Sequence, residues 1–309
     1  MKVVVALGGN ALLERGESAD SDIQESHVAR AAAALAPLLR DHQLVVTHGN
    51  GPQVGVLALE SAGDPALSHP YPFDVLGAQT QGMIGYWLVQ ALEAARPGQR
   101  AACLICRTLV KADDPAFSQP TKFVGPVYGE AEARRLAGQR GWHVRPDGSS
   151  WRRVVPSPEP AALVELELIE VLAGQGVTVV CAGGGGIPVV AGPGGLRGVE
   201  AVLDKDLTAA LLASSVRADA LLMLTDVAAV EEGYGTPAAR PIRRITAARL
   251  RSRLQAGEFP AGSMGPKVEA ACRFAATGGI TAIGQLADAA ALLAGRAGTI
   301  VVRGDERDD

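Results

Sequence analysis

Lysine is scarce in this chain: only five of its 29 basic residues are lysines. Aromatic residues are few as well, at 4%. The formal net charge is -4, which supplies no basic footprint for nucleic acid. Long apolar runs are missing. Val3-Val4-Val5-Ala6-Leu7 is too short for a signal h-region before Gly8-Gly9, and no run reaches membrane-spanning length, so the expectation is a cytoplasmic protein without a membrane partner. The four cysteines fit that compartment. Cys103 and Cys106 form a C-x-x-C, but inside the strand-like run Ala101-Ala102-Cys103-Leu104-Ile105-Cys106 they point to opposite faces, and no second ligand pair follows. A core role is expected for both.

Several familiar motifs are absent too. Gly184-Gly185-Gly186-Ile187-Pro188-Val189 and Gly49-Asn50-Gly51-Pro52-Gln53-Val54 both lack the third glycine of G-x-G-x-x-G. No G-x-x-x-x-G-K-[ST], H-E-x-x-H or G-x-S-x-G occurs, which sets aside P-loop NTPases, zincins and α/β-hydrolases.

What is present begins with the lysines themselves. Three of the five sit in Thr121-Lys122, Asp204-Lys205-Asp206 and Gly265-Pro266-Lys267, surrounded by glycine, proline or aspartate. Where arginine is the default cation, a retained lysine marks a need for a compact, flexible point charge, and phosphoryl transfer is such a need. Lys205 precedes Leu207-Thr208-Ala209-Ala210-Leu211-Leu212, and Lys267 precedes Val268-Glu269-Ala270-Ala271-Cys272. Both helical patterns thus start beside a cation, which opposes the positive helix end unless an anion lies between them.

Buried-strand signals recur, each closing on glycine or a small polar cluster: Val3 to Leu7, Leu44 to Thr47, Val177 to Ala182 and Leu221 to Leu224. Between them run helical patterns, clearest in Ile84, Trp87, Leu88, Ala91, Leu92 and Ala95. Alternating strands and helices predict a parallel sheet covered on both faces, with ligands at the carboxyl ends of the strands. The stretch from Asp113 to Pro160 breaks the rhythm and reads as an inserted subdomain or lid, with a long surface loop as the alternative. A lobe boundary is expected near Gly174-Gln175-Gly176.

Each candidate also has a plain structural reading. Glycines at strand ends make tight turns, Asp204 to Asp206 can cap a helix, and His48 is best read as a hydrogen-bonded turn residue. The junctions acquire meaning together. Ala6-Leu7-Gly8-Gly9-Asn10-Ala11-Leu12, His48-Gly49-Asn50-Gly51-Pro52-Gln53-Val54-Gly55, Pro120-Thr121-Lys122, Ala182-Gly183-Gly184-Gly185-Gly186-Ile187-Pro188, Asp204-Lys205-Asp206 and Gly262-Ser263-Met264-Gly265-Pro266-Lys267, in this order, closely resemble the carbamate kinase family. The resemblance spans the chain. It implies the amino-acid kinase fold, a three-layer α/β/α sandwich around a mainly parallel sheet with a small inserted subdomain.

The resemblance further implies a single domain over residues 1–309. Its N-lobe, 1–175, would bind carbamate and carry the lid, about 113–160, and its C-lobe, 176–309, would bind nucleotide. The implied reaction is reversible: ATP plus carbamate gives ADP plus carbamoyl phosphate, with Mg²⁺ held by phosphates and water rather than by a protein cage. By the same resemblance Lys205 and Lys267 serve the transferring phosphoryl group, Asp206 orients them, and Lys122 acts from the lid. Gly8, Gly9, Asn10, Gly49, Asn50 and Gly51 would cradle carbamate and the γ-phosphate. Gly183, Gly184, Gly185, Asp226, Tyr234 and Met264 would serve the nucleotide, and a homodimer is implied. One departure concerns acetylglutamate-kinase-like relatives, which carry a lysine in a first-strand K-x-G-G where this chain has Ala6-Leu7-Gly8-Gly9. Lys122 is the expected replacement for that charge. A same-fold kinase of another small acid and a nucleotide sensor without turnover are the alternatives.

Overall fold

Val3, Val4, Val5, Ala6 and Leu7 are all fully buried, as an unbroken apolar run must be when helices cover both faces of its sheet. In the computed structural model, which describes residues 1–14, 16–260 and 264–304, this run is the strand Lys2–Leu7. It lies in an eight-stranded sheet ordered Arg244–Thr246, Thr299–Val302, Ile280–Gln285, Ala220–Thr225, Lys2–Leu7, Gln43–His48, Thr178–Val180, Ala101–Cys103. Pairing is parallel from Ile280–Gln285 through to Ala101–Cys103. The direction reverses at the Ile280–Gln285 and Thr299–Val302 pair.

Alternate residues of the first strand feed two separate cores. Val3, Val5 and Leu7 pack with Val28 and Leu35 of the helix Ser21–Asp41, Ile84 and Leu88 of Phe73–Ala95, and Leu292 of Ala289–Leu293. Val4 and Ala6 pack on the other side with Ile169, Leu212, Leu250 and Val268, one from each of the helices Leu166–Gly174, Lys205–Ser215, Ala247–Gln255 and Met264–Ala276. A period of two in the strand therefore produces the three layers. The sheet also runs across the expected lobe boundary, since Lys2–Leu7 pairs with Ala220–Thr225.

The region expected to be inserted carries its own structure. Strands Lys122–Tyr128, His143–Asp147 and Ser150–Val155 form a three-stranded antiparallel sheet with Ser150–Val155 central, beside the helix Glu130–Arg140. Its Val124 and Val155 pack onto Val54, Phe73 and Leu76, which anchors the subdomain to the N-terminal half. Cys103 packs on one face of the main sheet and Cys106 on the other, and both are free thiols. Among the described residues no helix is long and apolar enough to cross a membrane.

Candidate active site

The strands end beside one another, and their backbones lock the loops that follow. Gly8 N donates to Leu224 O at 2.8 Å, and Gly49 N donates to Leu7 O at 3.0 Å. A Cβ on Gly49 would lie 3.1 Å from Gly9 N, so the His48-Gly49-Asn50-Gly51 loop nests closely on Gly8-Gly9 and a side chain there would push the two apart by a few tenths of an ångström. Gly51 opens the helix Gly51–Gly63, whose first N–H groups have no helical acceptors.

Two further helices start at the same end. Asp204 caps Lys205–Ser215, its Oδ1 accepting from Asp206 N at 2.9 Å and Leu207 N at 3.2 Å. Lys267 lies in the opening turn of Met264–Ala276. Buried Asp206 joins the two helices: its Oδ1 accepts from Lys205 Nζ at 2.5 Å and its Oδ2 from Lys267 Nζ at 2.9 Å. Burial alone would raise the Asp206 carboxyl, but attraction to Lys205 and Lys267 and their hydrogen bonds overcome it and hold the group well below the usual carboxylate range. The ammoniums respond in opposite senses. Burial lowers Lys205 despite Asp206, whereas for Lys267 the pull of Asp206 outweighs burial and raises it. Asp206 is therefore an ionised bridge between two cations.

Lys122 arrives from the inserted subdomain. Its Nζ donates to Asp204 Oδ2 at 2.8 Å. All three lysines thus border one cleft of about 840 Å³, within the range of nucleotide-sized pockets. Of the expected site residues, Gly8, Gly9, Lys122, Lys205, Asp206, Lys267, Asp226, Tyr234 and Met264 line it. Asp204, Thr225, Glu231, Phe259, Pro260, Pro266 and the stretch Val227-Ala228-Ala229 complete the wall and are not among the expected site residues. The tripeptide Asp204-Lys205-Asp206 was a usable signal for Asp204, which is both a helix cap and a charge partner. The apolar wall left no comparable trace.

Other expected residues stand outside that lining. Asn50 is buried with its Nδ2 donating to Thr80 Oγ1 at 2.9 Å, and Gly49 and Gly51 belong to the neighbouring loop. Gly183, Gly184 and Gly185 are buried behind that loop. A Cβ on Gly183 would meet the His48 ring at 2.2 Å, so this glycine cluster lets the second loop seat itself. Asn10 lies in the turn Gly9–Ala11, and its side chain is outside the described part, as are Gly262 and Ser263 of the last motif.

His48 is also buried. Its Nδ1 donates to Gly49 O at 2.9 Å, which leaves Nε2 as the unprotonated nitrogen. Burial pushes its pKa down to about 4; the bond to Gly49 opposes this and nearby Lys205 adds to it. The ring is neutral and structural, in line with the turn-residue reading.

Comparison with known proteins fits this geometry. The model of the amino acid kinase family matches residues 1–283. The carbamate kinase of Rhizobium meliloti (strain 1021) is 51% identical, over 97% of this chain and 93% of the relative. That of Pyrococcus furiosus is 46% identical, over 97% of this chain and 99% of the relative. Among solved structures, carbamate kinase from Giardia lamblia bound to AMP-PNP superposes with a TM-score of 0.90 at 39% identity, covering 97% of this chain and 98% of that one.

Proposed function

The chain belongs to the amino acid kinase family, and we propose that it acts as a carbamate kinase, transferring a phosphoryl group reversibly between ATP and carbamate to give ADP and carbamoyl phosphate. The observation that carries this is the convergence of Lys122, Lys205 and Lys267 on one cleft beside Gly8 and Gly9. A carbamate oxygen attacks the γ-phosphorus while the bond to the β,γ-bridging oxygen breaks, and the leaving ADP keeps that electron pair. Both partners are anions, so the protein contributes chiefly positioning and charge neutralisation. Lys205 and Lys267, held by Asp206, face the transferring group and the nucleotide phosphates.

The cradle can be assigned more closely. Gly8 spends its N–H on Leu224 and Gly49 spends its own on Leu7. The donors for carbamate and the γ-phosphate then fall to Gly9, Asn10 and the start of the helix Gly51–Gly63, seated by Asn50. Tyr234, Met264 and Asp226 line the part of the cleft that takes the nucleoside, while Gly183 to Gly185 serve through packing. Lys122 meets the small anion or γ-phosphate when the subdomain closes and excludes water.

Magnesium accompanies the nucleotide and supplies charge neutralisation on its phosphates. No group of three metal-ligating side chains occurs among the described residues, and Asp204 and Asp206 are engaged by lysines. Glu231 also lines the wall, a carboxylate suited to hold one of the ion's waters. We place the enzyme in the cytoplasm, where its four free cysteines stay reduced. A homodimer is carried over from the family resemblance.

The test is formation of ATP from ADP, Mg²⁺ and carbamoyl phosphate, followed by a coupled assay, with the same preparation sedimented at assay concentration. Turnover by a two-chain species is expected. Silence with carbamoyl phosphate alongside turnover of acetyl phosphate would reject the substrate.

A further inference from the structure

The tripeptide Asp204-Lys205-Asp206 contains two carboxylates, and each holds lysine. Asp206 takes Lys205 and Lys267 from the two helices on the nucleotide side. Asp204 takes Lys122, 82 positions earlier in the chain, from the inserted subdomain. The two ends of that ion pair differ in rigidity. Asp204 is fixed by its cap bonds to Asp206 N and Leu207 N, and its carbonyl accepts from Thr208 N at 3.0 Å. Lys122 begins the edge strand Lys122–Tyr128, and its ammonium ends a four-carbon stem. A flexible cation contributes to a transition state only when its freedom has already been removed.

We propose that Asp204 is a positioning residue for the phosphoryl transfer: it docks the ammonium of Lys122, and with it the cleft edge of the inserted subdomain, onto the start of the helix Lys205–Ser215. The lysine keeps two further N–H donors for the substrate while one stays on Asp204. One short segment thereby sets the location of all three cations. The proposal rests on the carbamate kinase reading for its kinetic arm and on geometry alone for its structural arm.

Asp204→Asn separates the two jobs of this carboxylate. The asparagine Oδ1 accepts the same cap bonds, whereas its Nδ2 is a donor and repels the ammonium. The expected result is a melting temperature close to that of the unaltered protein and faster amide exchange over residues 122–128 without ligand. kcat/KM for carbamoyl phosphate should fall about tenfold, the scale of coupling between neighbouring charged groups. In the Lys122→Ala background the same substitution should change kcat/KM by less than about twofold, because its target is gone. Asp204→Ser, which also caps, repeats the measurement should the asparagine variant fold poorly. Unaltered exchange and kinetics in Asp204→Asn, or a tenfold loss that persists in the Lys122→Ala background, overturns the proposal. If the unaltered protein fails to turn over carbamoyl phosphate, the functional reading falls, and the exchange measurement still decides whether Asp204 holds the subdomain.

Discussion

Asp206 shows how a single residue can hold a site together. A buried carboxylate costs desolvation, and two half-buried ammoniums repel each other; placed in contact, each offsets the other's penalty. Asp206→Asn keeps the shape but leaves two cations with no counter-charge. Breaking such a buried arrangement costs about 3 kcal/mol. We expect urea unfolding to show a loss of that order, and turnover to fall at least about a hundredfold because both lysines lose their orientation. A variant as stable and active as the unaltered protein would remove Asp206 from this role. The residue scale also exposes a limit of sequence reading. Asp204 looks like a helix cap in the sequence and is one, but its second oxygen meets Lys122 only because distant segments are brought together.

The elements differ in how far local pattern reveals them. The apolar period of Ile84, Trp87, Leu88 and Leu92 belongs to a helix, Phe73–Ala95, whose buried face carries those residues. The subdomain of residues 122–155 is legible only as a break in rhythm, since its short, half-exposed strands have no long apolar period. What seats it is tertiary. Arg153 lies 4.8 Å from the centroid of the Phe73 ring and 4.7 Å from that of Trp142, and its guanidinium meets Glu200 Oε1 at 3.1 Å. Glu200 Oε2 in turn accepts from Phe73 N at 2.8 Å, at the start of that helix. Arg153→Ala removes the stacking and the ion pair together, worth about 1–3 kcal/mol. The subdomain should then exchange its amides faster, and kcat/KM should fall severalfold while ADP affinity holds. Unchanged exchange would place the seat of the subdomain elsewhere, in the Val54, Val124 and Val155 contacts.

At the scale of the whole molecule, His48 links acidity to global stability. Its pKa falls from 6.5 to about 4 on folding, so between those values the unfolded chain binds more protons than the folded one. The stabilisation is complete above pH 6.5 and is lost as pH falls toward 4. A difference of that size corresponds to ~3 kcal/mol at most. Denaturant melts at intervals through this range should show stability declining with acid, and His48→Gln should flatten that part of the curve. An equal slope in the variant would assign the acid sensitivity to other groups.

The sequence by itself determined the class of fold, since unbroken apolar strands such as Val3 to Leu7 and helices of period 3.6 have few ways to bury their faces other than in three layers. It also determined the family, because the glycine and lysine junctions follow one another in a fixed order. Only the tertiary structure decided which groups share the cleft. Gly183 to Gly185 are loop glycines in sequence, but the fold turns Gly183 toward His48, Gly184 toward Asn50 and Gly185 toward Leu203 and Thr208. Lys122 has no charged neighbour within its own motif, and folding supplies Asp204. Periodicity is a local property that each segment carries alone, whereas an ion pair depends on a distance of a few ångströms between atoms far apart in the chain, and that distance exists only once the sheet has closed.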